Sequence, residues 1–213
     1  MNALLYEVDT SAKPVKLKNG IAAKFKVFEL SFSQFAKTIE DASRAVSFNT
    51  SSSEYTKAQR AERRKAQVKA YDAGGTEVPF EDIELRKLPR PLFSKITAKL
   101  DQASKIQGGE IVTKGDGADT PIIFKLGSGL IFGANGVDQV IYDLEFQAKT
   151  GDDIEPVLCA GSEIAQTLAL IEWCSLPLAK DLGLQKFPDM MLDQITMNDG
   201  IAIMRKVLPS FLE

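Results

Sequence analysis

The sequence predicts an α+β fold in which β-hairpin and meander units are each followed by an amphipathic helix, with a helical C-terminal third. Three observations predict it. A Gly followed by strand-like residues and then an apolar-x-x-apolar-Glu-apolar ending recurs at Gly20 to Leu30, Gly75 to Leu85 and Gly136 to Phe146. Each Gly follows Asn19, Gly74 or Asn135, and such dipeptides favour two-residue hairpin turns because both central residues need positive φ. Stripes with helical spacing, several opened by Ser or Thr capping residues, follow the strand-like runs and fill the last third of the chain.

Alternation would put Phe28 and Leu30, Ile83 and Leu85, and Leu144 and Phe146 on one face of the three strands, leaving Glu29, Glu84 and Glu145 facing solvent. In the first unit, Val15 to Lys18, an Asn19-Gly20 turn and Ile21 to Leu30 make a hairpin. Ser31-x-x-Gln34 is a capping box that opens a helix with Phe35, Ile39 and Ala42 on one face, ending near Ser47. Asn49 to Ser53 is polar and suits a loop.

Glu54 to Asp72 reads as a helix with almost no apolar residues, its Lys57, Arg60, Arg63, Arg64, Lys65 and Lys69 spread around the circumference. It is either a solvated helix between modules or a contact for an anionic partner through Arg60, Arg63, Arg64 and Lys65. Leu88-Pro-Arg-Pro91 starts the next helix, with Leu92, Ile96, Lys99 and Ala103 in a stripe widened by Phe93 and Leu100. Gln107 to Thr120 carries four Gly among charges and reads as a flexible loop.

Pro121 to Leu126, a Gly127-Ser-Gly129 turn, Leu130 to Phe132, an Asn135-Gly136 turn and Val137 to Phe146 form a three-stranded meander. Gly127-x-Gly129 lacks the remaining residues of a nucleotide-binding loop, so it reads as a turn. Ser162 caps a helix from Glu163 to Cys174, with Ile164, Leu168 and Ile171 on one face and Trp173 beside them. Met190 to Ile195 forms a further helix. Thr196-x-x-Asp199 opens another that carries Ile201, Met204, Val207 and Leu208 and stops at Pro209. Four segments result: 1–50 a hairpin-helix module, 51–75 a basic helix or linker, 76–160 an α+β module with the meander, and 161–213 a helical module.

Composition narrows the function. The chain has 213 residues, 44% hydrophobic and 26% charged, with a net charge of −3 and a pI near 5.3. That balance disfavours nucleic acid as the main partner. Apolar stretches such as Ile164 to Cys174 are broken by polar residues well short of a membrane span. Met1 to Thr10 carries Glu7 and Asp9 where a secretory signal would be apolar, so a cytoplasmic protein is expected. Histidine is absent, which removes Ser-His-Asp and Cys-His nucleophilic constellations and the commonest zinc ligand. Cys159 and Cys174 read as small buried hydrophobes. Asp152, Asp153 and Glu155 lack the spacing of a calcium loop and suit the first turn of a helix. The chain is read as a non-enzyme without cofactor or metal.

Four of the five methionines, Met190, Met191, Met197 and Met204, fall in one short stretch. With Ile201 and Leu208 they form either core or an adaptable apolar groove for a partner.

Val15-Lys-Leu-Lys-Asn-Gly20 through Phe28-Glu-Leu-Ser-Phe-Ser-Gln-Phe35, with Ser175-Leu-Pro-Leu178 and the run from Thr196-Met-Asn-Asp199 to Phe211-Leu212, resembles the tail assembly chaperones of long-tailed bacteriophages. The opening hairpin and helix are also similar to small baseplate-assembly proteins of contractile phages. The resemblance implies a host-cytoplasmic, non-enzymatic protein that binds tape measure or tail-tube proteins during tail morphogenesis, with self-association as a further partner mode. Two alternatives stand beside it. One is a baseplate or tail-completion subunit retained in the virion, whose meander lends an edge to a neighbour. The other is a nucleic-acid-associated protein using the basic helix.

Overall fold

A computed structural model describes residues 3–46, 51–134, 137–178, 184 and 187–212. The α+β class is as the sequence predicts, and the chain divides into two compact units, one of Met1–Leu30 with Lys37–Ile106 and one of Ser31–Ala36 with Gln107–Glu213. These boundaries do not coincide with the four segments above, because long-range strand pairing joins parts that are distant in sequence.

In the first unit, β1 (Leu4–Asp9), β2 (Val15–Leu17), β3 (Gly20–Ala22) and β4 (Lys24–Phe28) come first. β2 pairs with β3 so that Leu17 faces Gly20, which makes Lys18-Asn19 the two-residue turn, one position earlier than predicted. Asn19 Nδ2 donates to the Pro79 carbonyl at 2.9 Å and the Lys18 N–H donates to Glu84 Oε1 at 2.6 Å. Glu84 is thus a structural acceptor for a turn far away in sequence. The predicted strand over 21–30 is split. Within β4 the inward residues are Phe25 and Val27 instead of Phe28, because pairing with β1 sets Val8 opposite Phe25, while Leu30, beyond the strand end, is buried.

α1 (Phe32–Arg44) follows its predicted capping box, with the Ser31 N–H donating to Gln34 Oε1 at 3.1 Å and the Gln34 N–H to Ser31 Oγ at 3.2 Å. α2 (Ser52–Gln67) is capped by Ser51 and Glu54 and stops earlier than Asp72. Val68 and Ala70 are buried in β5 (Val68–Tyr71), which pairs with β4. β-branched Val68 and the alternation of the run favour a strand as soon as β4 offers a partner edge. A turn with Gly75 at φ +86° leads to β6 (Glu77–Val78), and the sheet order is β1-β4-β5-β6, antiparallel throughout.

The second predicted Gly-to-strand unit is a short strand followed by a helix. Pro79 has no N–H to extend the ladder, and the Glu81 N–H donates to Glu84 Oε2 at 2.9 Å, opening α3 (Asp82–Arg86) in place of a strand. Leu85 is buried and Ile83 is exposed, so they do not share a face. α4 (Arg90–Ala103) has Pro91 in its first turn and packs Ile96, Leu100 and Ala103 on β1 and β4.

The second unit contains β7 (Glu110–Thr113), β8 (Ile122–Ala134), β9 (Val137–Phe146), α5 (Gly151–Cys159), α6 (Glu163–Cys174), β10 (Ser175–Pro177), α7 (Asp189–Leu192), α8 (Met197–Lys206) and α9 (Pro209–Leu212). Its sheet order is β10-β9-β8-β7. Residues 107–120, read as a flexible loop, contain β7, whose Ile111 lies opposite Phe124. Gly127-Ser-Gly129 is no hairpin turn. It is a bulge inside one continuous strand β8, so the predicted three-stranded meander is a long two-stranded hairpin flanked by two short strands. The Asn135-Gly136 turn lies outside the described residues. Ser175-Leu-Pro177 pairs with Phe146 to Leu144 as β10 and is a strand instead of a turn.

The helices close this unit. Ser162 Oγ accepts the Ala165 N–H at 3.2 Å, and α6 buries Thr167, Leu170, Ile171 and Cys174, with Ile164 and Leu168 at the margin. Trp173, expected beside that stripe, is 56% exposed, and Cys159 is exposed while Cys174 is buried. The first-turn acids of α5 serve the helix as expected: Asp153 Oδ2 accepts the Thr150 N–H at 2.9 Å and the Lys149 N–H at 3.0 Å. No helix among the described residues is long and apolar enough to cross a membrane.

Candidate functional site

β7 pairs with only Ile123 to Lys125 of β8, and β10 with only Leu144 to Phe146 of β9, yet β8 and β9 stay paired as far as Ala134 and Val137. The hairpin therefore projects past both neighbours in its own sheet as a two-stranded arm. Between Lys125↔Asp143 and Leu130↔Ile141, β8 advances five residues while β9 advances two. An odd excess in one strand reverses which side of the ribbon its side chains occupy. The buried side accordingly changes at the bulge, and Leu130 and Ile141 are covered by the core of the unit.

The opposite side of the arm is left uncovered. By alternation Phe146, Leu144, Tyr142 and Val140 form one row along β9. The first two are fully buried, whereas Tyr142 is 46% and Val140 55% exposed. Ile131, paired with Val140 across the strands, is 54% exposed. A Cβ on Gly129 would overlap Val140, so the glycine lets Val140 and Tyr142 lie close over the β8 backbone. Burial of each half-exposed side chain by a partner would contribute about 1 kcal/mol.

The β8 edge beside this face is occupied. Asp199 Oδ1 accepts the N–H groups of Gly109 and Gly127, each at 2.7 Å, and Asp199 Oδ2 accepts the Ser128 N–H at 3.2 Å and the Thr196 hydroxyl at 2.9 Å. The Gln194 side chain accepts the Ile131 N–H at 2.7 Å and donates to the Ile131 carbonyl at 3.0 Å. Two side chains thus stand where another strand would pair, which blunts the edge. The arm offers its face, and its β8 edge is filled.

The sequence-derived candidates are placed differently. Met191 and Leu208 are buried in the core of the second unit, Ile201 and Met204 pack against it, Met197 is buried at 3% exposure, and of the set only Met190 is widely exposed, at 68%. The set does not line a groove, because the apolar stripe of α8 is spent on its own core. Of the basic set, Arg64 makes a bidentate pair with Asp82 at 2.6 and 3.0 Å, with both side chains largely buried. Arg63 Nε donates to Gln67 Oε1 at 2.6 Å and Lys65 Nζ pairs with Glu62 at 2.6 Å, while Arg60 is exposed. α2 is therefore neither an all-round solvated helix nor a row of four equivalent free cations.

A cleft of about 310 Å³ in the second unit is lined by Trp173, Glu145, Glu172, Asp153, Asp189 and Lys149, among others. Asp153 is engaged in capping α5, and no three His, Cys, Asp or Glu among the described residues are arranged to hold a metal ion. The exposed row on the arm was visible in the sequence only as the alternation of Ile131, Val140 and Tyr142; what covers each side depends on the bulge. Comparison with family models, curated proteins and solved structures finds no match to this chain.

Proposed function

We propose that the chain is a non-catalytic assembly protein that holds a partner through the uncovered face of the β8–β9 arm, acting in phage tail morphogenesis on tape measure or tail-tube proteins. The observation that carries the binding mode is the apolar row Phe146, Leu144, Tyr142, Val140, which leaves the core halfway along one strand and continues into solvent. A contiguous apolar surface presented by a rigid element is the form that protein contacts take. The tail context rests on the resemblance of the opening hairpin-helix and the C-terminal segments.

Co-expression with the tape measure protein tests both parts. The wild-type chain is expected to raise its soluble yield, and Ile131→Lys with Val140→Lys is expected to abolish the rescue while the variant keeps its thermal melting. Rescue that survives the double substitution removes the arm from the account.

A structural subunit is the second reading, favoured by the continuity of the exposed row with the protein's own core, a feature of permanent interfaces. Mass spectrometry of mature particles separates the two, since a chaperone leaves and a subunit stays.

A further inference from the structure

Charge is strongly divided between the two units. The first holds 19 Lys and Arg against 13 Asp and Glu, and the second holds 7 against 16, within a chain whose net charge is −3. The overall acidity thus conceals a basic unit.

Much of that excess gathers in one groove between α2 and α4, lined by Lys57, Arg60, Arg63, Arg64, Arg86 and Phe93. Its charges are undercompensated. Arg64 and Arg86 share a single carboxylate, Asp82, which is 5% exposed and lies 2.6 Å from Arg64 Nε and 3.1 Å from Arg86 Nε. Arg63 donates only to neutral acceptors, Gln67 Oε1 and the Leu100 carbonyl at 3.2 Å, and has no ion pair among the described residues. Asp101, on the groove wall, acts on it only at longer range, and burial pushes the Arg63 guanidinium below its ordinary pKa. Lys57 and Arg60, at the mouth, likewise have no ion pair among the described residues. A partly desolvated cation without its own counter-ion is costly unless an anion arrives from outside.

We infer that this groove binds an acidic segment of a partner protein, its carboxylates meeting Lys57, Arg60 and Arg63 while an apolar side chain rests on Phe93. Guanidinium forks suit carboxylates in bidentate geometry, as the Arg64–Asp82 pair in the same wall already shows. Nucleic acid fits less well. Phe93 is the one aromatic side chain lining the groove, and the Arg64 guanidinium lies over one of its faces at 5.8 Å from the centroid, so the groove offers no run of rings on which successive bases stack.

The test is fluorescence anisotropy on the full chain with a labelled peptide alternating Glu and Leu, the same peptide with Gln for Glu, and an oligothymidylate of equal charge. The Glu peptide is expected to bind and the Gln peptide not to. Lys57→Glu with Arg60→Glu, both away from the buried pairs, is expected to weaken binding at least about tenfold, or roughly 1.4 kcal/mol. Lys13→Glu with Lys16→Glu, the same charge change on the exposed β2 region, is expected to leave it within about twofold, the small effect of distant screened charges. No binding of the Glu peptide, an equal loss in the control variant, or tighter binding of the oligothymidylate would each overturn the inference. None of these outcomes bears on the arm, so the two surfaces stand or fall separately.

Discussion

Cys159 and Cys174 show how far side chains on neighbouring helices can differ in chemistry. Cys174 is 3% exposed, its Sγ donates to the Asp153 carbonyl at 3.2 Å, and burial, reinforced by the Asp153 charge, pushes its thiol from 9.0 up to about 12. Cys159 is exposed at the end of α5. Since the thiolate is the nucleophile, a disulfide reagent at pH 8 is expected to titrate one fast thiol in the folded chain and a second only after denaturation. Two fast thiols in the folded state would contradict the packing of α6. The same shift has a stability sign. A raised folded pKa favours the neutral form, so this contribution is complete below about pH 9 and is lost as pH rises towards 12. An apolar run predicts a buried thiol, which Cys174 is, whereas Cys159 falls on the solvent side of α5. The methionines carry the same lesson, since spacing identifies a stripe and not what covers it.

Between elements, the lock formed by Asp199 organises the second unit. Thr196 caps α8 as the sequence predicts, its Oγ1 accepting the Asp199 N–H at 3.1 Å. The Asp199 carboxylate accepts the Thr196 hydroxyl at 2.9 Å instead of the Thr196 backbone N–H of a reciprocal box. It reaches the β7 start and the β8 bulge and accepts three backbone N–H groups there. Close approach is possible because Gly108, Gly109 and Gly127 lack side chains on that side and because Gly200 lies against the Phe32 ring. Asp199→Ala would leave those donors unpaired in a site that is 1% exposed. The expected cost is about 3 kcal/mol, from loss of charge-assisted bonds and of buried partners. Urea unfolding followed by fluorescence of Trp173, the one tryptophan, measures it. Asp199→Asn, which keeps one acceptor oxygen for Gly109 and Gly127, is expected to cost less than the alanine. A loss below about 1 kcal/mol for the alanine variant, the size of one ordinary exposed bond, would show that the bulge holds itself.

The same element explains what the sequence could and could not reveal. Capping residues at Ser31, Ser162 and Thr196 act within one helical turn, so they were legible. Gly127-Ser-Gly129 looks like a turn locally and becomes a bulge only because a carboxylate from α8 satisfies its N–H groups. β1, β5 and β10 are short strands that pair with β4 or β9 from a distance in sequence, and pairing of that kind leaves little periodicity to read. Arg64 gave no sign of its burial because its counter-ion, Asp82, sits on a different helix.

Across the whole molecule, the chain divides its charge and its apolar surface between different places. A basic groove belongs to the first unit, while the apolar arm belongs to an otherwise acidic second unit. The division suits a protein that recognises chains instead of converting a substrate: apolar area supplies affinity and charge selects the partner. The central claim is that the arm face is where a partner sits. The most direct measurement is photo-crosslinking with a benzoylphenylalanine at position 142, on the exposed row, against the same residue at position 158 on α5, where Leu158 is also exposed at 56%. Adducts with the tape measure or tail-tube protein are expected from position 142 and not from position 158. Equal adducts from both positions, or adducts from 158 alone, would contradict the claim.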